Sequence, residues 1–209
     1  RGLQRALVAG AEEVNVSISP FDRFMRLNQN MSYDEAKLFY ERLATQIPIN
    51  RLYISCCFSS EVTKNQVLEC IMWGKSLAKW IVLCDTDSNA APEEVFELCS
   101  EAKELTDRIA VHFHTSKDLE SCMKKAYEAG VRVYDTSIGG LGGCFSIDDA
   151  EGNVPTEALV GWAEHHGIPI EQQIDVRKLT SVSNYAHNLS MTKRERVADW
   201  LFHKVGVYL

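Results

Sequence analysis

Five times in succession this chain spells a strand and then a helix, and few folds accept that rhythm. Apolar or alternating runs at 13–19, 51–58, 80–86, 108–114 and 131–138 read as strands, with helical patterns between them. Ser32 with Glu35 and Thr63 with Gln66 are spaced as capping boxes that open two of the helices. Pro92, followed by Glu93 and Glu94, opens a third. Gly130 and Gly167 stand where two helices should stop. The stretch 20–31 reads as a loop. Alternation at this spacing means βα units and a parallel sheet, in an α/β fold. The pattern alone admits a doubly wound sheet or a TIM (β/α)8 barrel. Polar residues at strand ends, Asp85, His112 and His114, favour the barrel, whose active site lies at the C-terminal face.

A closed barrel needs eight strands, and five are legible. The chain begins at Arg1, without Met and inside a helical pattern, so the expectation is an incomplete, C-terminal portion with the other strands upstream. Residues 1–170 are expected to form a partial TIM-barrel catalytic domain. Residues 171–209 are expected to form a C-terminal helical extension, with helices near 175–188 and 192–204. The second of these carries an apolar face of Val197, Trp200, Leu201 and Val205.

Composition removes several classes of function. The net charge is −7 and no basic stripe is present, which argues against nucleic acid and anionic membrane surfaces as partners. No apolar run is long enough to span a bilayer. The seven cysteines are odd in number and include no CxxC pair. They read as reduced thiols rather than a disulfide framework or a structural zinc site.

Three groups of residues carry chemistry. His112 and His114 flank Phe113 on a strand, so both imidazoles face the same way. They suit a pair of metal ligands, or two histidines bonded to backbone or solvent. Asp85 ends a buried strand, as a site carboxylate or a simple turn residue. Gly139, Gly140, Gly142 and Gly143 surround Leu141 and lead into Cys144, which places a thiol on a loop that ligands can approach closely. Asn153 follows as a neutral oxygen donor, or as the cap of the helix after Pro155. His165 and His166 sit at a helix end and read as structural. Cys56 and Cys57 are adjacent on a strand and face opposite ways.

The run Gly139-Gly140-Leu141-Gly142-Gly143-Cys144, followed by Gly152-Asn153-Val154-Pro155-Thr156-Glu157, resembles the signature of the 3-hydroxy-3-methylglutaryl-CoA lyase family. His112-Phe113-His114 resembles that family's histidine pair, and Leu83-Cys84-Asp85-Thr86 its preceding strand end. The order and spacing agree over most of the first 170 residues. The resemblance implies a metal-dependent TIM barrel acting on a small-molecule acyl-CoA. It implies Mg²⁺ or Mn²⁺ held by His112, His114 and Asn153, with Cys144, Asp85 and His112 as catalytic residues. It also implies a cytoplasmic or mitochondrial-matrix protein, and it leaves homo-oligomer formation open. The related condensing synthases share the histidines but lack the cysteine.

Departures from the family pattern cluster in the loops. Its Asp-Arg-Glu motif, on the first strand, is not found here. Thr115 and Ser116 follow the second histidine where an aspartate is usual. The loop after Asp85-Thr86, which usually carries glycines, reads Asp87-Ser88-Asn89-Ala90-Ala91, Ser59-Ser60-Glu61 replaces a Cys-Pro-Tyr loop, and Phe145 replaces a proline. The resemblance therefore implies the metal and thiol chemistry more directly than it implies the substrate.

Overall fold

A computed structural model describes residues 2–142, 152–171 and 174–186. They divide into two units, the first running to Asp135 and the second starting at Thr136 and taken up again at Gly152.

The first unit is a five-stranded sheet. Its strands are β1 (Val14–Ile18), β2 (Ile49–Ile54), β3 (Ala78–Cys84), β4 (Ile109–His112) and β5 (Val133–Asp135). Helix α1 (Gly2–Val8) precedes β1. Between the strands run α2 (Asp22–Gln29), α3 (Tyr33–Ala44), α4 (Lys64–Gly74), α5 (Pro92–Leu105) and α6 (Leu119–Glu128). All neighbours are parallel, and the strand order is the chain order. That order decides between the two folds left open above. A doubly wound sheet reverses its strand order at a switch point; this one never does, as in the wall of a TIM barrel.

Strand alternation then gives the wall two different faces. Leu52, Ile54, Ile81, Leu83, Ile109 and Val111 are buried on the outer side. The helices contribute Val67 and Ile71 from α4, Val95 and Leu98 from α5, and Met123 from α6 to the same core. Gly74 marks the closeness of the packing, because a Cβ there would lie 2.3 Å from a Leu52 methyl. The opposite, inner face carries Val82, Cys84 and Ala110, with Tyr53, Trp80 and Val133 against them.

The inner face is concave. Asp135 on β5 forms an ion pair with Arg51 and accepts a hydrogen bond from Tyr53 Oη, both on β2, although β3 and β4 lie between. In a flat sheet, three strand steps would separate the backbones by about 14 Å. Curvature shortens that distance, and barrel stagger sets the level. The register runs from Asp135 to His112 to Cys84, and one residue beyond the Ile54–Leu83 pair to Ser55. A barrel with eight strands and a shear of eight shifts level by about one residue per strand. Three steps therefore bring Asp135 level with position 52, between Arg51 and Tyr53.

Both expected capping boxes are present, and Pro92 opens α5. The expected loop at 20–31 is instead α2. Its Phe24 and Met25 are buried, Asp22 pairs with Arg26 one turn on, and Asn30 closes it in the left-handed conformation. Four of the five strands are shorter than the sequence suggests, and β3 keeps its length but ends at Cys84, one residue before Asp85. β2 stops at Ile54, and Cys56 takes φ +62° as its N–H donates to Thr86 Oγ1 at 2.8 Å. Cys56 and Cys57 are therefore not on a strand. β4 stops at His112, two residues before His114.

In the second unit, Ser137 bridges to Pro155, a single 3-10 turn spans Ile138–Gly140, and α7 spans Thr156–His165. Glu157 on α7 accepts hydrogen bonds from the Gly139 N–H and from Ser183, which lies on a helix over 176–186. The expected helix at 192–204 lies outside the described residues.

Candidate active site

Three of the residues singled out from the sequence gather where β3 and β4 end. His112 is the last residue of β4 and pairs in register with Cys84 and Asp135. His114 is 3% exposed, and its Nδ1 lies 3.1 Å from the Thr86 carbonyl oxygen. A carbonyl only accepts, so Nδ1 carries the proton, and in the neutral ring the lone pair is on Nε2. This is the usual way in which a protein prepares an imidazole for ligation. Thr86 also accepts the Cys56 N–H through its hydroxyl, which ties the loop after β2 to the same point.

The ring spacing of the two imidazoles falls in the range expected of a pair that shares an ion. Rings bound at about 2.1 Å, at ligand angles of about 90–109°, have centroids roughly 4.6–5.3 Å apart. The His112 and His114 centroids are 5.2 Å apart, with ring planes at 76°. Among the described residues no group of three or more His, Cys, Asp and Glu forms a metal cluster, so this pair alone would leave most positions to other oxygens.

Asp85 is 1% exposed. Its Oδ1 accepts from the Asn89 and Ala90 N–H groups, at 3.0 and 3.2 Å. Burial pushes its carboxyl up to about 6, and neighbouring Asp87 adds to the rise while the two backbone bonds oppose it. A carboxyl in that range exchanges protons readily near neutral pH. It also costs stability. The charged form is penalised only in the folded state, so the cost is absent below about pH 4, grows up to pH 6 and is complete above. Asp85→Asn keeps an oxygen for both N–H groups. In EDTA it should stabilise the protein at pH 7–8 by up to about 3 kcal/mol, with no gain below about pH 4. Urea midpoints measured at both pH values check this.

The next residues form the first departing loop. Ser88 takes φ +60°, and Asp87 Oδ1 and Ser88 Oγ are buried without hydrogen-bond partners among the described residues. Ser59 and Ser60 from the loop after β2 and Asn89 from the loop after β3 line one cavity of about 500 Å³, together with Phe58 and Glu94. The two departing loops thus meet in space.

Of the six described cysteines, five have thiols held above the ordinary range. All six are buried, and none is in a disulfide. Burial pushes the thiols of Cys57 and Cys84 far up, Cys70 to about 11, and Cys99 and Cys122 to about 12. Cys144 lies outside the described residues.

Asn153 belongs to the second unit. Its Nδ2 donates to the Leu141 carbonyl at 2.8 Å, which fixes the amide plane and the direction of Oδ1. Gly142 makes this bond possible. It takes φ +102°, and a Cβ on it would lie 2.7 Å from Asn153 Nδ2. Gly142→Ala should therefore destabilise the protein by about 1–3 kcal/mol and displace the Asn153 amide. Denaturant midpoints and the Asn153 side-chain NMR signals report the two effects.

Sequence reading missed four residues of this site. Thr86 acts through its carbonyl, which no side-chain pattern reveals. Arg51, Tyr53 and Asp135 had a signal, since polar groups on the alternating face of buried strands need partners.

The HMGL-like family model matches residues 1–186. This chain belongs to the HMGL-like family. Within it, the chain is 32% identical over 200 residues to the cytoplasmic 3-hydroxy-3-methylglutaryl-CoA lyase of Danio rerio, covering 88% of this chain and 58% of that protein. It is 27% identical over 200 residues to the (R)-citramalyl-CoA lyase of Chloroflexus aurantiacus, covering 88% and 62%. The HMG-CoA lyase of Acinetobacter baumannii, solved with coenzyme A and 3-methylmalate, superimposes with a TM-score of 0.77 at 29% identity, covering 87% and 63%. This HMGL-like chain thus spans less than two thirds of the length of each of these proteins.

Proposed function

We propose that this chain forms part of a divalent-metal-dependent carbon–carbon lyase. Its substrate is a 3-hydroxyacyl-CoA such as 3-hydroxy-3-methylglutaryl-CoA, cleaved to acetyl-CoA and a keto acid. The observation that carries the reading is the histidine pair of an HMGL-like chain, spaced for one ion and with the tautomer of His114 set by Thr86. His112, His114 and Asn153 would hold Mg²⁺ or Mn²⁺, whose role is to chelate the substrate oxygens and lower the pKa of its hydroxyl. Mixed imidazole and oxygen ligation suits these ions better than thiolate-loving ones.

The reaction then balances as a retro-Claisen cleavage. The C3 hydroxyl loses its proton, the C2–C3 bond breaks, C3 becomes the ketone, and C2 leaves as the thioester enolate and takes a proton. Asp85, poised near pH 6, serves the proton traffic at the hydroxyl. Cys144 protonates the enolate.

The loops favour a second reading, a barrel that has lost turnover and binds a metabolite, because both departing segments line the same cavity. One experiment separates the two. Full-length protein with Mn²⁺ is given 3-hydroxy-3-methylglutaryl-CoA and citramalyl-CoA, and acetyl-CoA is followed by chromatography. Metal-dependent acetyl-CoA release establishes the lyase. Mn²⁺ binding without release supports the second reading.

A further inference from the structure

Three rings stand in a row on the inner face of the first unit. Tyr53 meets His112 edge to face, with centroids 6.1 Å apart and planes at 83°. His112 meets His114 in the same manner. The row is tied at both ends. At one end His114 Nδ1 donates to the Thr86 carbonyl. At the other, the Tyr53 hydroxyl donates to Asp135 Oδ2 at 2.6 Å, the short length typical of a bond to a carboxylate. The second oxygen of Asp135 takes the Arg51 guanidinium.

We infer that Asp135 is a positioning residue for the histidine pair, acting through the Tyr53 ring that it holds against His112. This rests on the reading that the pair binds a divalent ion. Imidazole ligands perform well only when their surroundings fix the ring orientation. A tyrosine ring is a useful wall for this, but an unanchored ring swings about two side-chain bonds. Asp135 removes that freedom, and it is well placed to do so, since it sits in register with His112 on the neighbouring strand. Arg51 offsets the charge of Asp135, so the clamp adds no unpaired anion to a half-buried interior. The clamp thus uses three strands to hold one wall of the metal pair, and Asp135 need not touch substrate or ion.

The test uses the full-length protein and two readouts. One is the nuclear Overhauser contact between the Tyr53 and His112 ring protons without metal. The other is the Mn²⁺ dissociation constant, from the EPR signal of free Mn²⁺. Asp135→Asn and Tyr53→Phe should weaken Mn²⁺ binding by about 10–100-fold, the usual cost of losing an outer partner of a ligand, and should attenuate the ring contact. Asp135→Glu, which keeps the charge on a longer arm, should recover part of both. Wild-type Mn²⁺ affinity and an unchanged ring contact in Asp135→Asn and Tyr53→Phe overturn the inference. If Asp135→Asn unfolds because Arg51 is stranded, the double variant Arg51→Met with Asp135→Asn removes both charges and is judged by the same criteria. If the wild-type protein binds no Mn²⁺, the metal reading fails by itself. The ring contact in Tyr53→Phe then decides the positioning role, supporting it if lost and overturning it if kept.

Discussion

His114→Ala in the full-length protein should abolish divalent-ion binding and turnover together. His114 is buried, its Nδ1 proton is committed to Thr86, and its ring stands at a ligand-like distance from His112. Losing an outer partner of a ligand costs about 10–100-fold in affinity, and losing the ligand itself should cost more. Mn²⁺ titration of the variant, read beside acetyl-CoA release, measures both. The opposite result is equally informative. If His114→Ala binds Mn²⁺ like the wild type and only melts earlier, the Thr86 bond is the residue's whole purpose and His114 is a core histidine.

Cys144→Ala should separate what His114→Ala joins. It should keep the ion and most of the substrate affinity, and lose turnover by about 10²–10⁴-fold, the usual range for a proton-transfer group. The other six cysteines sharpen this expectation. All are buried, and burial is the largest cause that pushes the thiols of Cys70, Cys99 and Cys122 up to about 11 or 12, which makes these three poor substitutes for Cys144. Steady-state kinetics with saturating Mn²⁺, together with substrate binding followed by calorimetry, gives the separation. A Cys144→Ala enzyme running at the wild-type rate would assign the proton to a different group.

What could be read in the sequence was what is local or periodic. Ser32 with Glu35 and Thr63 with Gln66 act within one helical turn, so spacing alone found them. The histidine pair was legible because side chains on a strand alternate, and the alternation held two residues beyond the last β4 residue. Helix α2 escaped because Pro20, Asn28 and Asn30 resemble loop chemistry, while its two buried residues, Phe24 and Met25, are neighbours and show no helical period. The positive φ of Cys56 was hidden because it follows from a contact with Thr86, thirty residues away. The choice between a doubly wound sheet and a barrel needed strand order, which composition and periodicity do not encode.

The ion pair between Arg51 and Asp135 also has a bearing on how the chain folds. The partners are 84 residues apart, and they meet only because four strands have curled in sequence. Contacts between consecutive strands close much shorter loops and lose less chain entropy, so they can form first. The clamp is then among the last native contacts to appear, and it stabilises the finished wall instead of nucleating it. A chain caught with only β3 and β4 paired would already carry both imidazoles, but not yet the tyrosine wall that aims them.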